Sequence, residues 1–336
     1  MRKFIRKIGL FVLPCILVLI GIIYMDFFRV FFDYDEYYSN DLFVSLNREY
    51  VCLKTLENKP ETRKPDSFIF GSSRSQAFKC EDWKNYLQDS SVPFHFDAAN
   101  EALVGIVEKL EYLQKNEFQL KNVLLIFDIG LLTQTDFKTR NSSLTISHPA
   151  ISDNSKLDFY SPFLSASINP KFVTSYFDYY FFRNHRSYMG QYIVNTKYPN
   201  VVNSENMDIF YGKEKEIKED SIRYYRKTIE SGIFYDRKEL KKDTSQISHK
   251  SILLLSRIKN ILEEDTTDYR IVVSPMYDQI KLNSTYKETI DSLFKNNKVF
   301  DYSGVNEWTT PLGNFYEKSH YRPHVARAIM KEVYSY

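Results

Sequence analysis

Residues 67–75 read Ser67-Phe68-Ile69-Phe70-Gly71-Ser72-Ser73-Arg74-Ser75, a short apolar run that ends on a glycine and passes into hydroxyl side chains. The run is too brief for a helix and fits a buried strand, and the Gly-Ser-Ser behind it fits a tight turn that opens a helix. Four more runs of this kind follow, at 93–99 (PFHFDAA), 122–130 (NVLLIFDIG), 269–275 (YRIVVSP) and 298–304 (KVFDYSG). Helical patterns lie between them. Val104, Val107, Leu110 and Leu113 recur at three-residue steps, as do Ile252, Leu255, Ile258 and Ile261, which is the spacing of a helix face packed on a sheet. Brief strands alternating with helices predict an α/β fold with a mostly parallel sheet and crossover connections.

Outward from this frame, the Pro- and charge-rich stretch at 58–66 (NKPETRKPD) reads as exposed loop. It predicts a compact domain over 66–336, reached through a stalk at 29–65. Between the third and fourth strands, residues 131–247 are rich in Tyr, Phe and polar side chains and have no clear strand pattern. A structureless loop of that length is improbable inside a compact domain, so the region reads as an insertion covering the strand ends.

The 336 residues are 43% hydrophobic and 26% charged, enough for a sizeable core. With 3 Cys, 10 Gly and 11 Pro the chain is neither disordered, nor collagen-like, nor built on disulfides. Lys and Arg number 45 against 43 Asp and Glu, a net +2 without the single-sign field of a nucleic-acid binder. The partner is to be sought in local sites, and nucleic acid is not expected.

One composition shift is pronounced. Ile8–Met25 is 18 residues without a charge, preceded by Arg2, Lys3, Arg6 and Lys7. That length is close to the minimum for a spanning helix, and the flanking cations place the N-terminus in the cytoplasm. Bulky Tyr24, Met25, Asp26, Phe27 and Phe28 stand where a cleaved signal peptide needs small residues. Residues 1–28 are therefore expected to be a cytoplasmic tip and uncleaved transmembrane helix, with everything after Asp26 extracytoplasmic. Cys15 reads as an ordinary membrane-buried cysteine, and pairing of Cys52 with Cys80 is left open.

Chemistry enters at Ser73. A serine on a strand-to-helix turn stands at the carboxyl edge of an α/β sheet, where ligands bind, and neighbouring N–H groups can face a developing oxyanion. Helix capping, which satisfies an orphan N–H without any chemistry, is the plainer explanation of a serine there. Near the other terminus, Glu317-Lys318-Ser319-His320 places a carboxylate three residues before a histidine, and Pro323 suits the first turn of a final helix ending near Tyr334. A carboxylate at that offset can orient the imidazole so that its far nitrogen takes a proton from a serine hydroxyl; a loop histidine beside a surface acid is the plainer alternative.

Taken together, the two blocks make the chain similar to the SGNH (GDSL-like) hydrolase superfamily, in which Gly-Asp-Ser follows the first strand and Asp-x-x-His precedes the C-terminus. Gly71-Ser72-Ser73 matches the first block with Ser for Asp, and Glu317-Lys318-Ser319-His320 matches the second with Glu for Asp. The Gly-Ser-Ser variant and the tail from Val299 to Trp308 and His320 to Pro323 look like the membrane-anchored branch that acylates cell envelopes, such as the D-alanine transfer protein of teichoic acids and alginate O-acetylation proteins. The resemblance covers roughly 66–135 and 268–334. It implies a three-layer α/β/α fold with a mostly parallel sheet behind one N-terminal transmembrane helix. It further implies Ser73 as nucleophile, His320 as base, Glu317 as its acid, and no cofactor. The implied partners are a cell-surface polysaccharide or other envelope glycan and a membrane-embedded acyl-supplying protein.

Some blocks depart from the family. Where its oxyanion asparagine should follow the third strand, this chain has Phe127-Asp128-Ile129-Gly130. In the glycine block after the second strand, either the backbone N–H near Ala102 or the side chain of Asn100 is the expected donor. Losing one oxyanion donor costs about 2.7–4 kcal/mol in the barrier. Arg74 either holds an anionic substrate group or sits in an ion pair, and Asp128 either supports the site or caps the next element. Tyr176, Tyr179, Tyr180, Phe181 and Phe182 read as packing or as a glycan-stacking surface. His148, His185 and His324 lack partners at metal-ligand spacing, so no metal site is expected. Two functions follow: an anchored serine O-acyltransferase or esterase, and a non-catalytic SGNH-like subunit that binds glycan or scaffolds an acylation complex.

Overall fold

A computed structural model describes residues 2–39, 42–136, 141–190, 192–194, 197–237 and 243–335, without the side chains of 2–11 and 296. In chain order the helices are α1 (Arg2–Met25), α2 (Arg48–Glu57), α3 (Cys80–Trp83), α4 (Leu103–Lys115), α5 (Ile129–Thr133), α6 (Lys156–Ser167), α7 (Pro170–Phe182), α8 (Gly212–Glu219), α9 (Ser221–Glu230), α10 (His249–Glu264), α11 (Ser284–Leu293) and α12 (Pro323–Val333). The strands are β1 (Ser67–Gly71), β2 (Pro93–His95), β3 (Asn122–Phe127), β4 (Val201–Val202), β5 (Ile209–Phe210), β6 (Asp268–Val273), β7 (Val299–Asp301), β8 (Phe315–Glu317) and β9 (His320–Tyr321).

The five apolar runs form one sheet in the order β2-β1-β3-β6-β7, with every neighbouring pair parallel. The fold is α/β with the parallel sheet expected. β1 matches its apolar run residue for residue, and the other four strands are shorter than theirs. The last residues of the second run still bond β1 without being strand, through Phe96 N–H to Ile69 O (2.9 Å) and Ala98 N–H to Gly71 O (3.3 Å). The third run ends early because Asp128 turns out of the strand and caps α5, its carboxylate accepting from Leu131 N–H at 3.0 Å.

Strand side chains divide between two cores, as the period of two requires. Phe68, Phe70, Val123, Leu125, Phe127, Ile271 and Val273 face one core, shared with α2, α4 and α10. Ile69, Leu124, Ile126 and Val272 face the other, filled by Trp83 and by Val325, Ile329 and Val333 of α12. Each such apolar side chain contributes about 1.5–3 kcal/mol on burial. The sheet is thus covered by helices on both faces, which brings the two terminal halves of the chain together at its carboxyl edge.

Residues 29–65 are not a stalk. Asn47 caps α2 by accepting from Tyr50 N–H at 3.1 Å, and Tyr50, Val51, Cys52, Leu53 and Leu56 are buried in the main core. An exposed Pro-rich loop follows, but the chain before it already belongs to the domain because α2 offers an apolar face that the sheet's helices cover. The 131–247 region contains helices α5 to α9 and the β4–β5 ribbon.

Among the described residues, no helix is long and apolar enough to cross a membrane. The run Ile8–Met25 lies on α1, and the part of it at 8–11 falls outside the described side chains. Cys52 and Cys80 are both buried and free of any disulfide; burial pushes the Cys52 thiol up to about 12.

Candidate active site

β1 ends at Gly71, where the backbone takes φ +155° and a Cβ would stand 2.6 Å from the carbonyl oxygen of Ile126 on β3. Only glycine fits, so the chain can leave the sheet there in a sharp turn. The turn opens a short helix, five residues of 3₁₀ at Ser73–Ala77. Capping falls to Ser72, whose hydroxyl accepts from Arg74 N–H at 3.4 Å and donates to Asp128 Oδ2 at 2.6 Å. Ser75 closes the turn by donating both its N–H and its hydroxyl to Ser72 O, each at 2.8 Å. With those roles filled by neighbours, the Ser73 hydroxyl points elsewhere.

It points to His320. Ser73 Oγ lies 2.8 Å from His320 Nε2, and His320 Nδ1 is hydrogen-bonded to Glu317 Oε1. The carboxylate fixes the tautomer: Nδ1 carries the proton donated to Glu317, so Nε2 presents its lone pair to the serine hydroxyl. The second Glu317 oxygen accepts from Ser319 N–H at 2.9 Å. The extra methylene of Glu is therefore absorbed inside the β8–β9 hairpin, whose two-residue tip lets the carboxylate fold back on its own backbone. Burial would raise the Glu317 carboxyl, but the His320 hydrogen bond and charge, Ser319 N–H and Lys213 bring it down to about 2. It is ionised at neutral pH, as an orienting acid must be. His320 remains 23% exposed at its side chain, so a substrate can approach it from solvent.

Arg74 pairs with Asp128, Nη1 to Oδ2 at 3.0 Å. Of its two readings the ion pair is the one observed. Burial alone would raise Asp128, yet the Arg74 guanidinium, the Ser72 hydroxyl and Leu131 N–H hold it below the usual carboxylate range. Asp128 thus does both things anticipated for it, capping α5 and bracing the serine turn. The donors expected after β2 are placed differently. Ala102 N–H donates to Glu101 Oε1 at 3.0 Å, and Asn100, exposed and left-handed at φ +51°, accepts from Gln134 Nε2 at 3.3 Å. Among the described residues neither hydrogen-bonds Ser73 or His320.

The insertion supplies what sequence reasoning missed. Tyr211 stands against His320 with ring centroids 5.8 Å apart, and its hydroxyl donates to Gln76 Oε1 on the serine turn. Gln76 Nε2 continues to Asp97 Oδ2 at 2.5 Å, and Arg48 Nε reaches Asp97 Oδ1 at 2.8 Å. Glu214 of α8 binds Arg322 through Nε (3.0 Å) and Nη2 (2.6 Å) and accepts from Tyr316 OH at 2.8 Å. Tyr224 OH donates to Tyr316 O at 2.7 Å, and Tyr225 OH to Phe315 O at 3.1 Å. Polar groups of α8 and α9 thereby grip the β8–β9 hairpin that carries Glu317 and His320. Arg322 had a signal, since it closes the quoted tail motif; Tyr211 and Glu214, within the long unpatterned region, had none.

Among the described residues, Cys80, His95 and Asp208 bring ligand-type atoms within 4.8 Å of one another. Asp208 already accepts from Cys80 N–H (3.0 Å) and Asn206 Nδ2 (3.2 Å), and His95 Nε2 meets Ser75 Oγ at 3.0 Å. The cluster therefore reads as a satisfied buried network that holds α3 against β2. His148 takes an Ala150 N–H at 3.2 Å and packs against Tyr50 (tilted) and edge-on to Phe159; His324 bonds Asn314 Oδ1 at 2.9 Å.

No protein-family model matches the chain, and no curated protein is significantly similar to it.

Proposed function

We propose that the chain is an SGNH-type protein of three-layer α/β/α architecture that acts as a membrane-anchored, extracytoplasmic serine O-acyltransferase or esterase on a cell-surface polysaccharide. The observation that carries this reading is the Ser73–His320–Glu317 relay, with Oγ to Nε2 at 2.8 Å and Glu317 ionised on the far side of the ring. Ser73 Oγ attacks the ester carbonyl as its proton passes to His320 Nε2. The imidazolium, steadied by Glu317, returns that proton to the departing alkoxide and leaves an acyl-serine. Water or a sugar hydroxyl then attacks the acyl carbon, giving its proton to Nε2, which passes it to Ser73 Oγ as the bond from that oxygen to the acyl carbon breaks.

Anchoring is supported by α1. Val12, Leu13 and Ile16 to Ile20 are all exposed, Leu17 at 59% and Val18 at 58%, a continuous apolar surface on that helix. The cations at 2–7 keep the N-terminus cytoplasmic. A membrane-embedded acyl-supplying protein is the expected donor partner, and an envelope glycan the acceptor.

The test is a fluorophosphonate serine probe on the full chain in detergent, with the adduct located by peptide mass. An adduct on Ser73 that is lost in Ser73→Ala and His320→Ala variants of unchanged fold is the expected result. One observation favours the second reading, a catalytically inactive glycan-binding or scaffold subunit: Ala102 N–H is committed to Glu101 instead of the site. A folded wild type that takes no adduct, with Ser73→Ala cells retaining normal envelope acylation, would replace the enzyme with that scaffold.

A further inference from the structure

The insertion's aromatic cluster divides in two. Tyr176 and Tyr179 pack inward, Tyr176 against Phe43 at 4.8 Å and Tyr179 against Phe43 at 4.9 Å. Phe181 and Phe182, at the C-terminal tip of α7, are each 69% exposed, and Tyr180 beside them is 46% exposed. Large apolar rings grouped at a helix tip mark a contact surface in a way that scattered ones do not.

That tip is joined by ring contacts to the exit of α1. Phe27, two residues beyond Met25, lies against Tyr176 (4.6 Å), Phe172 (5.4 Å) and Phe177 (6.4 Å), and Phe181 stacks on Phe177 at 6.2 Å. Nor does α1 stand clear of the domain. Ile22, inside the apolar run, is buried, and Met25 packs on the main core. A domain that covers a side chain within the spanning run has its surrounding surface level with the bilayer edge. The charges agree: residues 156–186 carry Lys156, Lys171, Arg183 and Arg186 against Asp158 and Asp178, and Asp178 is already paired with Arg186 at 2.8 Å. Arg183 lies over the Tyr180 ring at 5.6 Å. Aromatic rings flanked by cations are what membrane–water interfaces select, the ring bodies at headgroup depth and the cations near lipid phosphates.

We propose that the α7 tip, Tyr180, Phe181 and Phe182 with Arg183, seats on the phospholipid surface beside α1 as a second membrane contact. This rests on α1 being the membrane anchor. A single helix would leave the domain free to tilt; a second contact fixes the height and direction of the Ser73 site over the membrane, which suits a reaction between a membrane-held donor and a surface polymer.

The test uses the full chain in phosphatidylcholine vesicles containing a minor fraction of phosphatidylglycerol, with and without acyl-chain bromination. Phe182→Trp and Phe181→Trp place an emitter at the tip. Tyr86→Trp, which faces Tyr334 at the other face of the sheet, is the control, and the native Trp83 and Trp308 set the background. Both tip variants should lose most of their added emission to brominated lipid and resist aqueous iodide, while Tyr86→Trp is untouched by bromine. Tip emission quenched by iodide and no more by bromine than the control, in protein that floats with the vesicles, overturns the seat and leaves the anchor standing. Protein that fails to float overturns the anchor and the seat with it.

Discussion

Arg322 donates from Nε and Nη2 to the two carboxylate oxygens of Glu214, at 3.0 and 2.6 Å, and so ties the hairpin that carries His320 to the first helix after the β4–β5 ribbon. Bidentate pairing fixes direction as well as distance, because the guanidinium fork is planar. Burial would raise Glu214, but Arg322 and Tyr316 hold it below the usual range. On the proposed function the pair would act by positioning His320. Glu214→Gln should lower the Ser73 labelling rate about tenfold, roughly 1.4 kcal/mol, and have almost no further effect in a His320→Ala background. Equal losses in both backgrounds would show a role that bypasses His320. The cycle is read from labelling rates of variants with matched melting temperatures.

Glu317 provides the pH handle. Its carboxyl stands lower in the folded chain than its ordinary 4.5, at about 2. A depressed acid contributes stability that is fully present above the unfolded value and is lost as pH falls through the folded one. Urea midpoints of wild type should therefore decline between about pH 4.5 and 2 more steeply than those of Glu317→Gln. At pH 7 the same variant should label on Ser73 about 10²–10⁴-fold more slowly, since a glutamine cannot hold the imidazolium or enforce the tautomer. Unchanged labelling would remove Glu317 from the relay.

Ser72 and Asp128 form the brace beneath Ser73, a 2.6 Å hydrogen bond to a buried carboxylate that Arg74 also pairs. Ser72→Ala removes both a cap and one partner of that carboxylate. It should cost about 1–3 kcal/mol in denaturant unfolding. Ser73→Ala, which breaks no such buried bond, should cost less than Ser72→Ala in the same measurement. A reversed order would mean that Ser73 is the structural serine.

Gly71→Ala is the severest small change available at this edge. The added methyl would meet Ile126 O at 2.6 Å and Ser75 Cβ at 2.9 Å while occupying a positive-φ conformation. A loss above about 1 kcal/mol, together with loss of labelling, is expected by circular dichroism melting and the probe. Wild-type stability in this variant would mean that the strand-to-turn junction relaxes freely.

How much of this was legible follows from range. Runs such as 67–71 and 122–127 announced themselves because a strand buried on both faces needs an uninterrupted apolar string, and that is local information. The serine and histidine blocks were readable for a similar reason: Glu317 and His320 are three residues apart, and one short hairpin is enough to join them. The stalk at 29–65 was misread because α2 has a weak apolar period, and its burial depends on faces supplied by α4 and the insertion. Glu214 and Tyr211 were invisible because a glutamate on a polar helix, or a tyrosine just before one, carries no local mark of a partner a hundred or more positions away.

By itself, the sequence determined a parallel α/β sheet, a glycine-ended first strand and a serine, an acid and a histidine of suitable kinds, since each depends on neighbours a few residues apart. Only the tertiary structure decided that Ser72 caps while Ser73 meets His320 across 247 positions, that Asp128 braces the turn, and that α8 and α9 grip the β8–β9 hairpin. Those arrangements depend on which surfaces are left facing one another once the sheet's two faces are filled, a property of packing that no short stretch of chain contains.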